Sequence, residues 1–205
     1  MKIKTCGLFR EEDIEYANIL QPDFIGFVFA KSRREVDFGM AKKLKSRLNS
    51  NIKAVGVFVD TPIELIYKAL DSKIIDIVQL HGGQSAEFIA DLKAKIKAKI
   101  IYVINMTNLD SIDYTKCDLV DFLLLDSAQG GSGKCFDWNL LKNIHLPKPY
   151  FLAGGINKEN LAQAMAFNPY GIDVSGGLEH EGKKDFSKMK EIISRVRRYK
   201  SDIKQ

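Results

Sequence analysis

The chain has 205 residues, 45% hydrophobic and 28% charged, a size and balance that one core can serve without dividing, so a single domain over 1–205 is expected. No run of about eighteen apolar residues occurs, and Met1-Lys2-Ile3-Lys4-Thr5-Cys6 enters strand-like sequence directly instead of a signal peptide's apolar stretch, which argues against a membrane span and for a cytoplasmic location. The net charge of +5 is carried by lysines scattered at helix-surface spacing; this argues against nucleic acid as partner and favours a small anionic ligand.

In chain order, short apolar runs read as strands over Ile3–Cys6, Phe24–Val28, Ala54–Val59, Ile75–Leu80, Ile100–Ile104, Phe122–Leu125, Tyr150–Leu152 and Ile172–Val174. Between and after them, helical spacing covers Glu11–Leu20, Met40–Leu48, Pro62–Leu70, Ala86–Lys95, a short piece near Leu109, Trp138–Asn143, Lys158–Phe167 and Phe186–Tyr199. Thr61-Pro62 and Asn157 have the chemistry of helix starts. Arg195-Val196-Arg197-Arg198-Tyr199-Lys200 ends the last helix, where cations complement the carbonyl end of the dipole, and reads as solvated surface.

The strands are mostly Val, Ile, Leu and Phe with little polar alternation, so both faces must be covered, as in parallel sheet flanked by helices. An open doubly wound sheet satisfies that pattern too. Eight units and glycine-rich closing loops favour a single (β/α)8 TIM barrel, an α/β fold.

In a barrel, chemistry sits at the carboxyl ends of the strands. Those ends carry Cys6-Gly7, the segment from Phe29 to Arg34, Asp60, His81-Gly82, Asn105, Asp126, Gly154-Gly155 and Ser175-Gly176-Gly177. The last two groups follow strands seven and eight, where this architecture cradles phosphate on backbone N–H groups that glycine leaves accessible. Phosphate binding by Gly154, Gly155, Ser175, Gly176 and Gly177 is therefore expected, against the plainer reading of two tight turns. Gly130-Gly131-Ser132-Gly133-Lys134 fails as a nucleotide P-loop because Ala128 and Cys135 stand where glycine and Ser/Thr are needed, and reads instead as an active-site lid. Cys6, Cys117 and Cys135 are odd in number and form no zinc-ligand spacing, which suits free thiols in a reducing compartment.

Lys4-Thr5-Cys6-Gly7, Gly26-Phe27-Val28-Phe29 with Ser32-Arg33-Arg34, Val55-Gly56-Val57-Phe58, Val78-Gln79-Leu80-His81-Gly82, Asp126 with Gly130 to Gly133 and Phe136-Asp137-Trp138, Leu152-Ala153-Gly154-Gly155, and Asp173-Val174-Ser175-Gly176-Gly177 with Lys184-Asp185 together resemble the phosphoribosylanthranilate isomerases. The resemblance spans nearly the whole chain. It implies a cofactor-free, metal-free aldose–ketose isomerase of tryptophan biosynthesis, performing an Amadori rearrangement on a phosphorylated small molecule, as a monomer or weak homodimer. It further implies that Cys6 is the general base, Asp126 the general acid, and Arg34 the partner of the substrate's aromatic carboxylate. Two departures stand out: Phe29-Ala30-Lys31-Ser32 is one residue shorter than usual and lacks a proline before Ser-x-Arg, and Gly176 replaces a serine frequent in relatives.

The chemistry agrees with the pair. Ring opening needs a proton delivered to the ribose oxygen, and enol formation needs one removed from carbon two; each such transfer is worth roughly 10² to 10⁴ in rate. An ordinary thiol and an ordinary aspartate have the wrong protonation for these tasks at neutral pH, so the fold must shift both. Alone, Cys6 reads first as a small buried hydrophobe, a reading that the Cys-Gly strand end within the wider pattern reverses, and Asp126 reads as a turn cap were it not set directly after Phe122-Leu123-Leu124-Leu125, which places it at a strand mouth. His81 reads as a site residue or a hydrogen-bonded core histidine, and Asp173 as a substrate-orienting group or a buried ion-pair partner. His180, among carboxylates, reads as exposed. Other ribose-phosphate barrels, and a catalytically silent phosphate-binding barrel, are the alternatives.

Overall fold

The structure, a computed structural model, describes residues 1–109, 112–127 and 135–199. Eight parallel strands run in chain order: β1 (Lys2–Cys6), β2 (Phe24–Val28), β3 (Lys53–Phe58), β4 (Ile77–Leu80), β5 (Lys99–Asn105), β6 (Phe122–Asp126), β7 (Tyr150–Leu152) and β8 (Gly171–Val174). β8 pairs back onto β1, with Lys4 opposite Asp173, so the sheet is a closed barrel and not an open one. Around it lie α1 (Glu11–Leu20), α2 (Phe38–Ser46), α3 (Ile63–Asp71), α4 (Ala86–Lys95), α5 (Tyr114–Leu119), a 3-10 segment Trp138–Asn143, α6 (Leu161–Ala166) and α7 (Phe186–Arg198).

Both strand faces are apolar because both are covered. Ile3, Ile25, Val78, Ile100, Leu123 and Ile172 point outward beneath the helices, while Phe24, Val55, Ile77, Ile101, Phe122 and Phe151 fill the interior, following the two-residue alternation of strands. Phe151 meets Phe24 and Phe122 edge-on at 5.6 and 5.8 Å and plugs the amino end of the barrel. The site above therefore has a solid floor.

Local capping explains where boundaries depart from the periodicity. α2 starts at Phe38, two residues before the apolar pattern, because Asp37 accepts the Met40 N–H at 2.7 Å. α6 starts only at Leu161, because Asn157 first accepts the N–H groups of Glu159 and Asn160 in a side-chain turn. Two elements have no counterpart among the expected ones. One is α5, capped by Asp113. The other is a two-stranded hairpin, β9 (Glu179–His180) with β10 (Lys183–Lys184), whose turn residues Glu181 and Gly182 both have positive φ, as a two-residue hairpin turn requires.

Among the described residues no helix is long and apolar enough to cross a membrane.

Candidate active site

At the carboxyl ends of the strands lies a cavity of ≈ 560 Å³. Cys6, Arg34, His81, Asp126, Gly154, Gly155, Asp173, Ser175, Gly176 and Gly177 all line it, so every site residue singled out from the sequence converges on one place. A larger depression of ≈ 690 Å³ sits at the opposite, amino end among Met1, Pro147, Pro149, Tyr150, Pro169 and Tyr170, with no acid–base pair. The lid segment from Gly130 to Lys134 lies outside the described residues.

Cys6 ends β1 and points inward on the same face as Lys4, two residues before it. Burial pushes the Cys6 thiol upward, and the Lys4 ammonium beneath opposes that shift, followed by smaller effects of Asp173 and Lys184. Burial also works against the Lys4 charge, yet Asp173 and Cys6 hold its pKa above the ordinary lysine value. Lys4 Nζ donates to Asp173 Oδ2 at 2.9 Å, and the lysine side chain is wholly inaccessible. Gly26, opposite Cys6 in the β1–β2 register, leaves space for the sulfur: a Cβ there would stand 2.6 Å from Sγ.

Asp126 ends β6. Its pKa is raised to about 6, first by burial and then by the nearby Asp173 charge, while the Ser127 N–H, donated to Oδ1 at 2.8 Å, pulls the other way. His81 Nε2 lies 4.0 Å from Asp126 Oδ2. Burial, then Lys4, lowers the His81 pKa, and the ring lines the cavity with 31% of its side chain exposed instead of being sealed in the core. Asp173 proves to be an ion-pair partner and a cavity residue at once. Among the described residues, its Oδ1 and the Gln79 Oε1 are buried acceptors without a hydrogen-bond donor, both on cavity-lining residues.

The glycine loops are held for different reasons. Gly154 and Gly155 have φ of +81° and +66°, a region that favours glycine, and a Cβ on Gly154 would approach the Ser127 nitrogen to 2.9 Å and Asp126 Oδ1 to 3.1 Å. A Cβ on Gly177 would stand 2.1 Å from the Ile156 carbonyl oxygen, so this glycine locks the β7 and β8 loops together. Gly176 is open by comparison, with Arg34 Nη2 nearest its Cβ position at 3.7 Å. Ser175 Oγ donates to the Cys6 carbonyl at 3.0 Å and so ties the β8 loop to β1.

Arg34 is nearly buried, and two of its donors are engaged by Glu179: Nε to Oε1 at 2.6 Å and Nη2 to Oε2 at 3.0 Å. Arg33 is 57% exposed and does not line the cavity, although its Nη2 also reaches Glu179 Oε2 at 2.5 Å. The sequence pattern leaves three supporting groups unannounced: Lys4, Glu179 and the charge role of Lys184. A lysine two residues before Cys6 inside a strand was a readable signal, since lysine is rarely buried unpaired; nothing local announces Glu179.

The family model for N-(5'-phosphoribosyl)anthranilate (PRA) isomerase matches residues 3–195. An N-(5'-phosphoribosyl)anthranilate isomerase of Endomicrobium trichonymphae is 44% identical over 201 residues, 96% of this chain and 98% of that one. Among solved structures, phosphoribosyl anthranilate isomerase from Thermus thermophilus is similar with a TM-score of 0.86 and 28% identity, covering 96% of this chain and 98% of that one. A phosphoribosyl anthranilate isomerase in complex with reduced 1-(o-carboxyphenylamino)-1-deoxyribulose 5-phosphate gives a TM-score of 0.81 with 28% identity and the same two coverages.

Proposed function

The chain belongs to the N-(5'-phosphoribosyl)anthranilate isomerase family, and we propose that it rearranges N-(5'-phosphoribosyl)anthranilate to 1-(2-carboxyphenylamino)-1-deoxyribulose 5-phosphate with Asp126 as acid and Cys6 as base. The observation that carries this reading is the convergence of a carboxyl group with a pKa of about 6 and a lysine-flanked thiol on one cavity that also holds both glycine loops.

Asp126 gives its proton to the ribose ring oxygen as the anilino nitrogen lone pair opens the ring to the iminium form. The Cys6 thiolate takes the proton from carbon two, and the electron pair left behind neutralises the iminium to give an enolamine. Protonation at carbon one and loss of the hydroxyl proton from the enol complete the ketone. Substrate and product are isomers, so every proton removed is returned. Each step is a proton transfer, and we read the reaction as cofactor-free on that ground. The Lys4 charge beneath Cys6 favours the thiolate, and the Asp173 charge favours neutral Asp126.

For binding, we assign the phosphate to the backbone of Gly154, Gly155, Ser175, Gly176 and Gly177, and the anthranilate carboxylate to Arg34. A guanidinium has five donors; with Nε and one Nη2 donor on Glu179, the Nη1 edge stays free for a paired contact. Val28, Val57 and Ala30 on the cavity wall suit the aromatic ring. His81 and the free acceptors of Asp173 and Gln79 suit the ribose hydroxyls. A thiol base fits the reducing cytoplasm.

The test is a coupled assay that follows loss of anthranilate-type fluorescence from phosphoribosylanthranilate. Wild-type protein turns the substrate over, and folded Cys6→Ala and Asp126→Asn variants lose at least about a hundredfold in kcat. Near-normal turnover by either folded variant removes that residue from the mechanism.

A further inference from the structure

Glu179 belongs to none of the groups assigned above, yet it is the most heavily contacted carboxylate near the cavity. Its side chain is 4% exposed. It receives Arg34 through two hydrogen bonds, Lys184 Nζ at 2.8 Å, and the half-exposed Arg33. Burial opposes its ionisation, but Arg34 and Lys184 together hold its pKa below the ordinary glutamate value. Lys184 in turn donates to the Ser175 carbonyl at 3.0 Å, and the Arg10 guanidinium donates to the Lys184 carbonyl at 2.9 Å. The β9–β10 hairpin is thereby bolted to β1's loop, β8's loop and β2's loop at once.

Burial lowers the Lys184 pKa, but the two arginines on one carboxylate already leave the cluster net positive. Glu179 therefore orients Arg34 without cancelling the attraction for an anion. It takes the Nε and Nη2 edge of the guanidinium, which fixes the plane of the group and leaves its other edge for the cavity. We propose that Glu179 is a positioning residue that sets specificity for a carboxylate-bearing ring by holding Arg34 in register; the inference rests on the reading of Arg34 as the carboxylate's partner.

The experiment is a double-mutant cycle of Glu179→Gln and Arg34→Ala, with kcat and KM for phosphoribosylanthranilate and inhibition constants for two ligands. One is the reduced product analogue, which carries carboxylate and phosphate; the other is ribulose 5-phosphate, which has no carboxylate. Glu179→Gln is expected to raise KM and the analogue's inhibition constant about 10- to 100-fold, with kcat changed less than about threefold and ribulose 5-phosphate inhibition less than about twofold. In the Arg34→Ala background the same substitution adds less than about twofold. Since Glu179→Gln strands the buried Lys184 charge, the Glu179→Gln/Lys184→Met pair is measured as well, with folding checked by circular dichroism. If the losses are additive, or if both ligands weaken equally, Glu179 only braces the fold and the proposal is wrong. If Arg34→Ala alone has no effect, the reading of Arg34 fails instead, a separate result. Glu179→Asp, which keeps the charge on a shorter arm, is expected to recover part of the lost affinity.

Discussion

Lys4 and Asp173 form a hydrogen-bonded ion pair 2.9 Å long across the β1–β8 seam, with the lysine side chain fully enclosed beneath the cavity. Each member of the pair acts more strongly on a different neighbour. At Cys6 the lysine outweighs the aspartate and favours the thiolate; at Asp126 the aspartate outweighs the lysine and favours the neutral acid. A single ion pair thus biases the proposed base and acid in opposite directions.

The pH profile of kcat/KM follows from these shifts. In the proposed mechanism the active form has Asp126 protonated and Cys6 ionised, but Asp126 releases its proton at about 6 and Cys6 only above its ordinary 9.0. The rate rises with pH as the thiolate fraction grows, levels off once Asp126 begins to ionise near pH 6, and falls after Cys6 has titrated. The lower break therefore reports the acid. Asp173→Asn removes a negative charge that raises the Asp126 pKa, so this break is expected to move below 6. A break that stays put belongs to another group.

A carboxyl group with a raised pKa carries a stability cost. Between pH 3.8 and about 6 folded Asp126 holds a proton that the unfolded chain has released, so stability falls as pH rises through that window. Above it the cost is complete, on the order of 3 kcal/mol for two pKa units. Asp126→Asn keeps the shape and the Ser127 contact, and is expected to gain about 1 to 3 kcal/mol at pH 7.5 while losing activity. The gain should vanish below pH 3.8; urea melts at the two pH values measure it, and an equal gain at both would assign it to something other than ionisation.

Gly26→Ala tests the seating of the thiol. The new methyl would stand 2.6 Å from Sγ and 3.1 Å from the Cys6 Cα, so the sulfur must turn away from its lysine-flanked position. We expect a folded barrel with kcat reduced about tenfold or more, and slower alkylation of Cys6 by iodoacetamide. Unchanged kcat would mean that the sulfur need not sit where it does.

The β8 loop separates two adjacent glycines. Gly176→Ser meets no heavy atom closer than 3.7 Å at Cβ and is expected to fold normally, adding a hydroxyl donor and improving inhibition by inorganic phosphate a few-fold. Gly177→Ser meets the Ile156 carbonyl at 2.1 Å and is expected to lose stability and phosphate affinity together. Thermal melts with and without phosphate distinguish the two; equal behaviour would detach the loop from the anion. The clash also makes bulky substitutions at Gly177 poor probes of phosphate contact, because they break the loop packing first.

The barrel was legible because its signal is local and repeated. Each strand is an apolar run, most runs give way to a polar or glycine residue within two positions, and Cys6, Asp126, Gly154 and Ser175 lie where that rule puts them. What stayed hidden depends on pairs far apart in the chain. Lys4 meets Asp173 and Arg34 meets Glu179 only because the sheet closes and a hairpin folds back after β8. The Glu181-Gly182 turn lacks the Asn-Gly or Asp-Gly signature that marks such hairpins in sequence. Arg33 illustrates the same limit: its side chain is 57% exposed, yet its guanidinium also reaches Glu179 from 146 residues away in the chain.

The seam between β1 and β8 also fixes the order of events during synthesis. Lys4 leaves the ribosome early, but its buried partner Asp173 arrives only after the other seven strands have been made. Until then Lys4 lacks its counter-ion, and this long-range pairing is the slow kind to establish. Closing the barrel and pairing Lys4 with Asp173 are therefore one event, since the two residues meet only across the β1–β8 seam.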